Sequence, residues 1–250
     1  MKKPNSSTPQ LAFALAAALL STTAAEAQVV AHWRFEPGAF LQDSSGNGNT
    51  LGGTATPSGS SGFAGSGDGS ASFGGNDILN TLSTLNLTAF QQLEITWQQR
   101  TTMTGIGLLF EHSANKNNSP GGFLADVNEN GTGIGFPSLR TFDGNNNDNM
   151  PHATDGTWES FTLRIDLTAT DPADILVVTP GSNAPGAQGA NVAPFLNDTF
   201  YIGARGQGPQ FFFVGNIDEL KIEAVPEPTS FLLTALGAAL GLGCARRRVS

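Results

Sequence analysis

Leu93-Glu94-Ile95-Thr96-Trp97-Gln98 decides the fold class, because large apolar side chains occupy every second position and polar ones the positions between. A period of two is that of an extended strand with one face buried. Phe161-Thr162-Leu163-Arg164-Ile165-Asp166 alternates in the same way. Val29-Val30-Ala31-His32-Trp33-Arg34-Phe35 places Ala31, Trp33 and Phe35 on one face and His32 and Arg34 on the other. Further strands are predicted at 107–111, 122–127, 132–136, 174–179, 199–204, 211–214 and 217–223. No amphipathic helix is predicted between residues 28 and 224. Many short strands separated by Gly, Asn, Ser and Pro predict an all-β antiparallel sandwich or barrel. Residues 46–76, rich in Gly and Ser, read as a long surface loop with one short strand at 70–73.

Both ends of the chain read as addresses outside this fold. Lys2 and Lys3 precede an apolar run from Leu11 to Leu20, and Ala25-Glu26-Ala27 supplies a small-x-small cleavage site. Residues 1–27 are therefore a secretory signal peptide. At the other end, Val225-Pro226-Glu227-Pro228 leads into fifteen residues, Phe231 to Ala245, and then Arg246-Arg247-Arg248. Fifteen helical residues at ~1.5 Å each span roughly 22 Å, short of a ~30 Å hydrocarbon core. The arginines resist translocation, which leaves everything before Val225 facing outward.

Between these ends, residues 28–224 are long enough for one domain with a sizeable core. They carry seven Lys and Arg against nineteen Asp and Glu, a formal charge of −12. So acidic a surface repels phosphate backbones and argues against a nucleic-acid partner. The one cysteine, Cys244, lies in the tail, so the exported domain has no disulfide.

The tail resembles the PEP-CTERM sorting signal, whose Pro-Glu-Pro motif, hydrophobic segment and Arg-rich end are represented here by Pro226-Glu227-Pro228, residues 231–245 and Arg246, Arg247 and Arg248. The resemblance implies an exosortase-type sorting protease as partner, transient insertion of 225–250 in the inner membrane, and a Gram-negative bacterial host. Trp33-Arg34-Phe35, Asp43-Ser44-Ser45-Gly46-Asn47-Gly48-Asn49, Ala71-Ser72-Phe73-Gly74-Gly75, Ile95-Thr96-Trp97, Tyr201-Ile202-Gly203 and Phe213-Val214-Gly215-Asn216-Ile217-Asp218-Glu219-Leu220-Lys221-Ile222 follow the order of a LamG-like, concanavalin A-like domain. That resemblance covers nearly all of 28–224 and implies a jelly roll that binds glycan or protein. Where the family has an Asp-Gly hairpin after the strand that follows Trp158, this chain has Ile175-Leu176-Val177-Val178-Thr179-Pro180-Gly181.

Catalytic constellations are sparse. Glycoside hydrolysis needs paired carboxylates on one strand face. Glu94 stands alone on its strand, and Asp218 and Glu219, being adjacent, are expected on opposite faces. Glu111-His112 is flanked by a polar loop; His32, His112 and His152 read as ordinary surface histidines, and no G-x-S-x-G elbow is present. The expected function is that of an exported, processed envelope or matrix protein without catalysis. Its jelly roll would bind polysaccharide or a surface protein. The alternative is a divergent glycoside hydrolase or polysaccharide lyase on the same fold. Trp158 is the tryptophan expected nearest the surface.

Two calcium-like loops fail on inspection. Asp126 to Gly131 opens like an EF-hand but reaches Pro137 where a bidentate Glu is required, and reads as a hairpin closed by Asn130-Gly131. Residues 143–149 lack both the Gly and the distal Glu and read as a solvated loop. A structural calcium ion is expected instead where the first and last strands meet. The resemblance assigns it to Asp43 and Asp218, with Asn47 and Glu36 as further ligands. The competing expectation is that Asp43 caps its own turn and Asp218 pairs with a cation.

Overall fold

The computed structural model describes residues 27–58, 62–65, 67–112, 121–127, 134–135, 137–141, 144–147, 150–151, 153–169, 176–179 and 193–225, all within one compact unit, Ala27–Val225. The described residues form strands, turns and irregular segments, with no helix. The expected sorting motif, both terminal segments, Cys244, His152 and the 128–133 hairpin lie outside them.

Two seven-stranded antiparallel sheets make the sandwich. The first runs β15 (Leu176–Thr179), β14 (Glu159–Asp166), β7 (Gln92–Arg100), β18 (Val214–Ala224), β4 (Ala71–Gly74), β3 (Thr56–Pro57), with β1 (Gln28–Trp33) also paired to β18. The second runs β12 (Gly144–Asn147), β11 (Pro137–Thr141), β9 (Phe123–Val127), β8 (Gly107–His112), β17 (Phe200–Ile202), β5 (Leu79–Thr81), β2 (Leu51–Gly53). Two small ladders, β10 (Ile134–Gly135) with β13 (Met150–Pro151) and β6 (Leu85–Asn86) with β16 (Asn197–Asp198), complete the set. First and last strands do lie side by side, Trp33 opposite Leu220.

Alternation positions the core as the sequence implies. Leu93, Ile95 and Trp97 of β7 are buried, as are Phe161, Leu163 and Ile165 of β14. An aromatic chain then ties the sheets together. Trp33 stacks on Phe200 at 5.4 Å, Phe200 on Phe110 at 5.7 Å, Phe110 meets Trp97 edge-on at 5.1 Å, and Trp97 stacks on Phe161 at 5.4 Å. Offset and edge-to-face pairs of this kind each contribute ~0.5–1.5 kcal/mol beyond area burial.

Several expectations need correcting. The 46–76 stretch holds β2 and β3 besides β4, because strands of two or three residues carry too few side chains to show a period. Residues 211–214 are not a separate strand: Phe212 makes one parallel bridge to Leu108, and Val214 already starts β18. The last strand thus begins three residues before the predicted 217, and Asp218 is its fifth residue. Residues 144–147, read as loop, are β12, paired with β11 from Ser138↔Asn147 to Thr141↔Gly144. His112 is fully buried instead of at the surface, its Nε2 3.1 Å from the Leu85 carbonyl, and burial holds its pKa below the usual 6.5.

Candidate functional site

The residues that alternate with the core on the first sheet form a polar outer face. Register places Arg164 beside Glu94 and Glu94 beside Glu223, and in the next row Thr162, Thr96, Lys221 and His32 in turn. A third row runs Ser160, Gln98, Asp218. Arg164 faces Glu94 and the hydroxyls of Thr162 and Thr96 face each other, pairings that stabilise a sheet face, while the like charges of Glu94 and Glu223 oppose one another, Glu223 being paired with Lys221 at 2.9 Å.

A bulge decides what happens at the end of that third row. Ile217 and Leu220 are both fully buried in the core, three residues apart, so an extra residue sits between them. The β7–β18 register slips between Asp218 and Lys221, and Glu219 adopts φ +48°. Asp218 and Glu219, expected on opposite faces, are therefore both turned away from the core. Glu219 meets His32 (2.6 Å) and Arg34 (2.9 Å). The His32 hydrogen bond holds its carboxyl below the usual range against the opposing effect of burial.

Asp218 is fully buried and, among the described residues, forms no ion pair. Its two oxygens accept the N–H groups of Phe63 and Glu219, each at 2.8 Å. Burial pushes its pKa up to about 7, Asp68 and Glu219 adding to the rise while the two N–H groups oppose it. Phe63 belongs to a turn closed by Gly65 N–H to the Gly62 carbonyl and Gly62 N–H to that of Asp68, so this short segment straps over the sheet. At its tip the Phe63 ring is 44% exposed. The ring lies at 87° to that of half-buried Trp158, centroids 6.3 Å apart. The Arg100 guanidinium sits over Trp158 at 5.0 Å, its Nε donating to Asn216 Oδ1 at 3.0 Å.

The expected calcium ligands fall into two groups. Asp43 is the hub of a clasp: Oδ1 accepts the N–H of His32 and Ser45 and Oδ2 that of Asn49, all at 2.9 Å. Burial works to raise its pKa and these bonds outweigh it, leaving the carboxyl below the usual range. Asn47 Nδ2 donates to the carbonyls of Val29 and Val30, and the Asn49 carbonyl accepts Trp33 Nε1–H at 2.7 Å. The Ser-Gly-Asn loop thus fastens β1 and the core tryptophan. Glu36 takes no part in this clasp; it pairs with Arg34 at 3.1 Å and accepts Gly69 N–H at 3.4 Å. Asp43, with three N–H groups on its oxygens, does not fit a cage shared with Asp218, and among the described residues no group of three or more His, Cys, Asp or Glu is placed to hold a metal ion.

The second sheet carries a pair that sequence reasoning missed. Phe123, Ala125 and Val127 point into the core, so Asp126 faces away from it, as does Glu111, whose neighbour Phe110 is a core residue. Glu111 is opposite Leu124, which makes Asp126 its diagonal neighbour, ~7 Å away between Cβ atoms. Both are buried, at 3% and 4% exposure, and Gly206 N–H donates to Glu111 Oε2 at 3.4 Å. The two acids lie on different strands fifteen residues apart, so nothing in the local pattern joins them.

No protein-family model and no curated protein matches the chain. Among solved structures it is similar to domain 4 of AbnA, a GH43 extracellular arabinanase from Geobacillus stearothermophilus in complex with arabinotriose, with TM-score 0.50 and 18% identity over 84% of this chain and 99% of that one. It is also similar to the receptor-binding domain of botulinum neurotoxin mosaic serotype C/D, with TM-score 0.57 and 9% identity over 84% of this chain and 51% of that one. A botulinum neurotoxin type C structure, described by its dependence on two ganglioside molecules for cell entry, matches with TM-score 0.54 and 10% identity over 78% and 47%. The chain thus spans about half the length of the toxin chains. At these identities the likeness is one of fold, the jelly-roll sandwich.

Proposed function

We propose that this chain is an exported protein of the cell envelope or extracellular matrix whose jelly roll binds glycan or protein without catalysis. The observation that carries this is the outer face of the first sheet, a solvated ladder of acids, bases and hydroxyls with the Phe63–Trp158 corner at one end. Polar groups around a few aromatics suit recognition of a hydroxyl-rich or peptide surface. The arabinotriose complex and the ganglioside-dependent toxin are in keeping with a sugar ligand. A glycan array probed with the full chain tests the reading; no glycan and no envelope protein retained would sink it.

Export and sorting complete the proposal. An exosortase-type protease would cut near Pro226-Glu227-Pro228, after the 231–245 segment has entered the inner membrane and Arg246 to Arg248 have stopped it. Replacing those three motif residues by Ala should leave a longer, membrane-retained product in cells that carry the protease. Identical migration and fractionation of variant and wild type would reduce the tail to an anchor. A calcium ion stays in the proposal only through Asp218, since three N–H groups occupy the Asp43 oxygens.

One observation favours the alternative of a divergent glycosidase or lyase. Glu111 and Asp126 are diagonal neighbours on one face of the second sheet, and paired carboxylates on a sheet face are what glycoside hydrolysis requires. Reducing-end release from polysaccharides by the wild type, abolished in Glu111→Gln, would establish that reading in place of the first.

A further inference from the structure

Resting on the reading of the domain as a glycan binder, we propose that Phe63 and Trp158 form the stacking site for a neutral pyranose unit of a polysaccharide. Apolar surface of this kind is ordinarily withdrawn from water, yet Phe63 holds 44% of its surface out while Trp33, Trp97 and ten of the larger aromatic and aliphatic side chains are fully enclosed. Its position is fixed. Phe63 N–H is tied to the buried Asp218 carboxylate (2.8 Å), Ala64 N–H to Asp68 Oδ2 (2.6 Å), and the turn is closed by backbone bonds at both Gly62 and Gly65. A ring displayed on so restrained a turn meets a ligand with little ordering cost.

The shape selects the ligand. Two rings at 87° form a corner, one serving as floor and the other as wall. A pyranose presents an apolar C–H face bounded by equatorial hydroxyls, so its face fits an aromatic floor and its rim needs polar neighbours. Those neighbours are present: the Arg100 guanidinium over Trp158, Asn216 bound to it, and Thr157 and Asp155 exposed beside Trp158. Thr157 itself is fixed by Asp155, whose Oδ1 accepts both its N–H (3.0 Å) and its hydroxyl (2.7 Å). Charge excludes the acidic sugars. Asp68, Glu36 and Glu219 carry negative charge about the strap, and the domain's formal charge is −12, so uronate or sulfate chains are repelled. A folded protein loop would find a corner of two rings too small for a standard interface, whereas one sugar ring fills it.

The test is affinity electrophoresis of the full chain through gels containing a neutral β-glucan, a mannan, a xylan or an acidic polyuronate. Wild type should be retarded by at least one neutral polymer and not by the polyuronate, with little change between low and high salt. Phe63→Ala, at an exposed position, should weaken retardation by about tenfold or more. Phe63→Trp should preserve it, and Leu82→Ala, 71% exposed and away from the strap, should not change it. Trp158→Ala should act like Phe63→Ala; Phe63→Ala decides the matter if Trp158→Ala fails to fold. Undiminished binding by Phe63→Ala overturns this site and leaves glycan binding standing. Preference for the polyuronate overturns the neutral-sugar assignment. Absence of retardation by every polymer overturns the site together with the glycan reading.

Discussion

Raising the pH through neutrality should destabilise this domain through Asp218, the reverse of what an ordinary paired carboxylate does. The group is fully buried, and its pKa of about 7 stands above the ordinary 3.8, chiefly because burial penalises the charge. A folded-state value above the unfolded one means that the folded chain holds the extra proton between the two. The contribution is therefore fully present below about pH 4 and is lost as pH rises through 7. Roughly three units at ~1.36 kcal/mol each set a ceiling of about 4 kcal/mol. About 2.5 kcal/mol of that falls between about pH 5 and about pH 8. Gln98, the cross-strand neighbour of Asp218, has a buried Oε1 without a hydrogen-bond partner among the described residues.

His112 opposes this trend over part of the range. Its folded pKa lies below 6.5, so its contribution is fully present above 6.5 and is lost as pH falls. The assay is therefore a difference: urea unfolding of the full chain, wild type against Asp218→Asn, in chelator, across that pH range. The His112 contribution is common to both proteins and cancels. Asn can serve only one of the two N–H groups that Asp218 accepts, at a cost of ~1–3 kcal/mol, so the slope and not the level is the measurement. Wild type should lose about 2.5 kcal/mol relative to the variant between those pH values. A flat difference, or one that favours wild type as pH rises, would refute the placement of an unpaired carboxylate under the strap.

Trp97→Ala should cost ~3–5 kcal/mol in chemical denaturation, since it removes the ring that joins Phe110 to Phe161 and leaves Gln99 without its 2.8 Å indole donor. Gly53→Ala should be far more damaging than Gly48→Ala: a Cβ at Gly53 would lie 2.0 Å from the Ile78 carbonyl oxygen, whereas one at Gly48 meets nothing within 4 Å and costs only ~1–2 kcal/mol of left-handed strain. Equal melting temperatures for the two variants would contradict the β2–β5 register. Calcium, if held beside Asp218, should raise stability by about 2.7 kcal/mol at a hundredfold excess over Kd and reverse the sign of the Asp218 slope. Identical melting in calcium and chelator would remove the ion from the reading.

The sequence by itself determined the class of fold and much of its core, because alternation is a local property. Leu93, Ile95 and Trp97, or Phe161, Leu163 and Ile165, declare a buried face without any knowledge of what covers it. It also pointed to Trp158 as the tryptophan nearest the surface, since Gly156 and Thr157 mark the end of a turn. Short strands such as Leu51–Gly53 and Gly144–Asn147 stayed hidden because they owe their existence to a partner strand, not to their own side chains. The site was hidden for a related reason. One residue inserted at Glu219 moves two carboxylates to the same face, and neither a bulge nor the strap that carries Phe63, 155 positions before Asp218, leaves a periodic trace. Asp43 stands between Gln42 and Ser44 and Asp218 between Ile217 and Glu219, and neither local pattern states the acid's charge state. Tertiary structure gave one three N–H donors and the other burial beside further acids, so their pKa values move in opposite directions: a carboxyl's charge state is set by its solvent and its neighbours, which only the fold supplies.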